Sequence, residues 1–183
     1  MAASGLARFY GSVFRRRVDA AALVRDSVGA VLAVRSGDGP WALPGAVVKA
    51  GEDPRTAAAR ALLPVLGDRI PAGRMLVFDC AVDSAQDAGG LAFVYDGGSV
   101  PAATSGFRAA GDTVHARFLS IDACTRLLEP AEVARLAAAL TALETQSVAE
   151  LVDGRLIPGA PLPARPGIPA MMPQLPEVSH LLG

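Results

Sequence analysis

Five side chains carry most of the chemistry that this sequence offers. Glu52 and Arg60 stand in the stretch from Trp41 to Gly67, WALPGAVVKAGEDPRTAAARALLPVLG. Glu52 is a carboxylate suited to acid–base work. Arg60 carries a planar guanidinium that either holds Glu52 in place, the plainer role, or grips an anionic substrate group such as a carboxylate or phosphate. His115 opens a short apolar run, and histidine as a residue type serves proton transfer near neutral pH. A lone histidine is nevertheless more often a hydrogen-bonded rim residue. Asp79 interrupts the apolar run from Arg74 to Val82 and shares a strand face with Val77 and Ala81. It is therefore either an outward-facing solvated group or a pocket carboxylate poised for catalysis. Trp41 belongs in the core, or stacks on a planar ligand at a pocket entrance.

These groups need elements to position them. Val18 to Val24 and Gly29 to Arg35 are β-rich and separated by Arg25-Asp26-Ser27, which reads as a hairpin. After a loop from Ser36 to Pro40, Trp41 to Leu43 is expected as a short strand. Asp53 followed by Pro54 is a helix start, because Asp can accept from free backbone donors while Pro needs none at the first helical position. Pro64 lacks an amide hydrogen, so a kink or an end is expected near Leu63. Arg74 to Val82 and Gly90 to Tyr95 are the next strands, with Asp96-Gly97-Gly98 ending the second and residues 99 to 113 forming an irregular connection. His115 to Ser120 is a last short strand. Asp122 to Leu128 and Pro130 to Glu144 are helices, the second with Val133, Leu136, Leu140 and Leu143 on one face.

The stretch around Glu52 resembles the signature of the Nudix hydrolases. Leu43-Pro44-Gly45, Gly51-Glu52, Arg60 and Gly67 stand at the spacing of that family's box, whereas Ala46, Ala61, Pro64 and Val65 replace its first glycine and its other glutamates. Phe93 to Gly98 and Glu150 to Arg155 are softer matches to actinobacterial members. The resemblance spans about residues 18 to 145 and implies an α/β fold, the Nudix α/β/α sandwich with a mixed β-sheet. It also implies metal-assisted hydrolysis of a nucleoside diphosphate derivative, in which divalent ions neutralise phosphate oxygens and activate water. Only Glu52 of the box acids is left. No metal cofactor is therefore expected beyond weak Mg²⁺ binding, unless Asp53, Asp68, Asp79 or Asp83 substitutes in space.

Composition narrows the partners. The 183 residues carry a formal charge of −1, with Lys49 the sole lysine, so no basic face marks a nucleic-acid polymer as partner. No run approaches the ~20 apolar residues of a membrane span, and no secretory leader precedes the first strand; a cytoplasmic protein is the expectation. Cys80 and Cys124 lack metal-site spacing and read as free thiols. Three regions follow: an amphipathic arm at 1–17, a domain at 18–150, and a strap at 151–183 that mixes proline with Ile168, Met171, Met172, Leu175 and Leu181, in which Arg165 and His180 act only if the strap folds over the pocket. The strap favours a homodimer. The leading expectation is a repurposed enzyme acting on a small organic molecule without metals, by hydrolysis, cyclisation or isomerisation in a setting such as natural-product biosynthesis. The alternatives are a non-catalytic module that binds a nucleotide-like ligand or mediates assembly, and a divergent active diphosphatase.

Overall fold

The computed structural model describes residues 16–67, 70–82, 89–101 and 114–157. In chain order the elements are β1 (Arg17–Asp26), β2 (Val31–Ser36), β3 (Gly45–Val47), α1 (Pro54–Leu66), β4 (Met75–Ala81), β5 (Gly90–Val100), β6 (Val114–Leu119), α2 (Ile121–Leu127), α3 (Pro130–Thr145), β7 (Ala149–Val152) and β8 (Arg155–Leu156). The strands make one mixed sheet in the order β6-β2-β1-β5-β4-β7-β8, with β3 pairing to β1 off that path. β1 runs parallel to β5 and antiparallel to β2 and β3.

Alternation along β1 divides the core in two. Ala20, Ala22 and Val24 pack with Ala57, Ala58, Leu62 and Val65 of α1. Leu23 points the other way, toward Leu136, Ala139 and Ala142 of α3. Both faces of the sheet are thus covered, as the α/β/α sandwich requires. Each fully buried Leu or Val contributes roughly 1.5–3 kcal/mol. Val133, Leu140 and Leu143 lie at the margin of the α3 face, whose centre is filled by smaller alanines.

The β1–β2 hairpin is closed by Asp26, whose Oδ1 accepts from Val28 N (3.0 Å) and Ala30 N (2.8 Å). Helix α1 begins as its sequence predicts, with the Asp53 side chain accepting from Thr56 N at 3.1 Å and Pro54 at the first helical position. It does not end near Leu63. Pro64 forfeits one hydrogen bond, but Leu62 and Val65 on either side are buried against the sheet, and the helix runs on to Leu66. There Gly67, at φ 71°, closes it by donating to Leu63 O at 3.0 Å.

Two further expectations change. Trp41 to Leu43 is not a strand: Ala42 bridges Val34 and Trp41 bridges Leu128. The short strand is Gly45–Val47, whose three residues are too few to show a period. Asp96-Gly97-Gly98 does not end β5, which continues to Val100 across a register shift between Leu23 and Arg25 of its partner. The sheet runs on through β7 and β8 to Leu156. The arm at 1–15, most of the connection at 99–113 and the strap from 158 lie outside the described residues, as do Arg165 and His180. Among the described residues, no helix is long and apolar enough to cross a membrane.

A glycine is needed at position 97 for space, since a Cβ there would stand 2.5 Å from Val24 Cγ2 and 3.2 Å from Leu23 O. Gly97→Ala is expected to cost about 1–3 kcal/mol, read as a lower urea midpoint. An unchanged midpoint would show that the β1–β5 contact is loose.

Candidate functional site

The retained box residues build a brace. After Asp53 starts α1, one face of the helix turns Arg60 back toward the preceding loop. Arg60 Nε donates to Glu52 Oε1 and Nη2 to Oε2, both at 2.8 Å, and Nη2 also reaches Val47 O at 3.0 Å. Glu52 Oε2 accepts a further bond from Lys49 N at 3.0 Å. Both carboxylate oxygens are therefore engaged, and the Glu52 side chain is only 12% exposed. The hydrogen bonds from Arg60 and then from Lys49 N hold its pKa down at about 2. Such a group remains ionised and bonded, a poor proton shuttle near neutral pH.

The other expected site residues are dispersed. Asp79 is neither solvated nor at a pocket mouth. It is 0% exposed, accepting from Arg135 Nε at 2.7 Å and Gly154 N at 3.2 Å. His115 is exposed on β6 opposite Arg35 of β2. Trp41 is buried in the core on the α3 side of the sheet. Glu52, Asp79 and His115 thus sit in three separate environments. Of the two thiols, Cys124 is buried, which pushes its pKa up, and Cys80 is half-buried; both are free.

These residues do not fit a magnesium site. Mg²⁺ takes about six oxygen ligands and relies on carboxylates to hold it. Glu52 is closed on Arg60, Asp53 is spent as a helix cap and Asp79 is paired with Arg135. Asp68 and Asp83 lie outside the described residues. Among the described residues, no three His, Cys, Asp or Glu side chains come close enough to share an ion.

A cleft of about 320 Å³ lies between β1, β3, β5 and the start of α3. Its floor is made of small apolar residues, including Ala21, Leu43 and Val94, and Val47 forms part of its wall. Charge enters from Arg17 and Asp19, paired at 2.7 Å, and from Glu132 and Arg135, paired at 2.8 Å. Burial works against the charge of Arg135, yet its hydrogen bond to Asp79 and the charges of Glu132 and Asp79 outweigh this and raise its pKa. Sequence reasoning missed these four residues. The Arg17-x-Asp19 spacing, which puts both on one strand face, was the available signal; nothing local links Arg135 to Asp79 across 56 positions. A larger groove of about 720 Å³ lies between α3 and the β7–β8 hairpin.

No protein-family model matches the chain, and no curated protein does. Solved structures match its fold. The MutT protein from Methanosarcina mazei Go1 has 21% identity and a TM-score of 0.57, over 74% of this chain and all of that one. The Nudix domain of Shewanella oneidensis NrtR, solved in complex with ADP ribose, has 15% identity and a TM-score of 0.60, over 78% of this chain and 99% of that one. The MutT Nudix hydrolase from Burkholderia pseudomallei has 23% identity and a TM-score of 0.55, over 68% of this chain and 98% of that one. The chain has the Nudix fold.

A carboxylate whose folded-state pKa lies below its unfolded value stabilises the fold above the unfolded value, and this is lost as pH falls through the folded one. For Glu52 the window runs from 4.5 down to about 2. Arg60→Gln should therefore melt below the parent protein at neutral pH, with the gap narrowing across that window. Circular dichroism melts over a pH series measure it, and a constant gap would remove the ion pair as its cause.

Proposed function

We propose that this Nudix-fold protein binds a small organic molecule of low net charge in the cleft between β1, β3, β5 and α3, and that it does so without the metal chemistry of the Nudix box. The observation that carries this reading is the closed Glu52–Arg60 pair, which bonds Val47 and so holds up the cleft wall. The box has become a brace for the pocket. The cleft charges are matched, Arg17 by Asp19 and Arg135 by Glu132 and Asp79, leaving no free cation there for a diphosphate among the described residues. ADP ribose on the Nudix domain of Shewanella NrtR supports ligand binding as a use of this fold. The charge balance here turns the preference toward a less anionic molecule.

A metal-independent enzyme is the second reading, favoured by Asp19 and Glu132. Both carboxylates face the cleft and keep side-chain exposures of 34% and 23%, so each could exchange a proton with a bound molecule.

Titration calorimetry with Mg²⁺, Mn²⁺, ADP ribose and a set of neutral or zwitterionic metabolites tests the proposal. Weak metal binding, no diphosphate turnover and a metabolite hit abolished by Ala46→Phe in the cleft wall are expected. Tight metal binding with diphosphate hydrolysis would overturn it. If the hit is also converted, loss of turnover with retained binding in Asp19→Asn or Glu132→Gln would select the enzymatic reading.

A further inference from the structure

Two arginines outside the cleft share one aromatic ring. Arg16, Arg17, Arg55, Arg60, Arg74 and Arg135 each donate to a carboxylate or a backbone carbonyl. Arg35 and Arg117 have no such partner among the described residues. Their guanidinium carbons instead lie 5.1 and 4.4 Å from the ring centroid of the same residue, Trp41. Both distances are within cation–π range, about 6 Å. Arg35 Nε is buried without a hydrogen-bond partner, as is Arg25 Nε on β1, which has no such ring beside it among the described contacts.

Register brings these groups together. Arg35 pairs across the β2–β6 ladder with His115, and Arg117 with Ala33 two positions further along. Residues two apart on a strand share a face, so Arg35, His115 and Arg117 form a triangle on the side of the sheet that buries Trp41. Two like charges have been gathered at one ring in a chain whose net charge is only −1, so the cluster is not a by-product of a basic surface. Gathering them is unfavourable by Coulomb repulsion, and burying a guanidinium N–H unpaired adds a desolvation cost. An oxyanion accepting from both guanidiniums would offset the repulsion, while the flat ring packs against each of them.

We propose that Arg35, Arg117 and His115, backed by Trp41, form a binding site for a doubly charged oxyanion on the β2–β6 edge of the sheet. Two guanidiniums and an imidazole match a phosphate monoester or a dicarboxylate in charge and in number of donors. The site is built from residues that the cleft does not use, and it stands or falls independently of the cleft reading.

Trp41 is the sole tryptophan, so its fluorescence reports the site directly. Titration of the full chain with inorganic phosphate, glycerol phosphate and succinate at constant ionic strength should give a saturable change for at least one of them. A response to the phosphates alone assigns a phosphate site, and a response to succinate alone a dicarboxylate site. Arg117→Ala, at an exposed position, should weaken the response about tenfold or more, the usual size of a charge-assisted contact. Arg155→Ala, on the opposite sheet edge, should leave it intact. Arg35→Gln should act like Arg117→Ala; if it fails to fold, Arg117→Ala alone decides. An unsaturable change, an equal change with chloride, or full retention in Arg117→Ala would overturn the proposal.

Discussion

A carboxylate with no contact with water has to be neutralised where it stands, and Asp79 imposes that constraint on the whole molecule. In this protein it is met by Arg135 of α3 and by the amide of Gly154 in the β7–β8 turn. One side chain therefore ties the fourth strand to the helix that covers the sheet and to the hairpin that extends it. Removing one partner of a buried pair typically costs about 3–5 kcal/mol, because the other charge remains behind. Arg135 is also a cleft residue, so the group that secures the helix shapes the pocket.

The second constraint is the pair between Glu52 and Arg60. In a chain with several box acids an arginine can orient one carboxylate while others hold ions. Here the carboxylate and the guanidinium satisfy each other, and the spare guanidinium donor goes to the backbone of β3. The same residues at the same spacing thus serve a different end. They fix the short strand that lines the cleft, and the helix behind them is held by burial of Leu62 and Val65, which is why Pro64 does not break it.

The hairpin, the start of α1 and both C-terminal helices were legible in the sequence because each is set by local rules: alternation, an Asp-Pro cap, an apolar helical stripe. The continuation of β5 was not. Asp96-Gly97-Gly98 has the composition of a turn, but its small residues are there so that β1 can approach, and only the partner strand reveals that. The short strand at Gly45 was hidden for a related reason, since three residues carry no period and its pairing belongs to β1.

The sequence by itself determined the frame: the box spacing, the fold it belongs to, and the loss of the acids at Ala61, Pro64 and Val65. It also named Glu52, Arg60, Trp41, Asp79 and His115 as the groups worth locating. What each does was decided only in three dimensions. Whether a carboxylate is a base, a ligand or a staple depends on which donors surround it, and those donors come from distant positions: Arg135 for Asp79, and Arg35 and Arg117 for the surroundings of Trp41. Local spacing can place a charge on a face, but its chemistry is set by the neighbours that the fold brings to it.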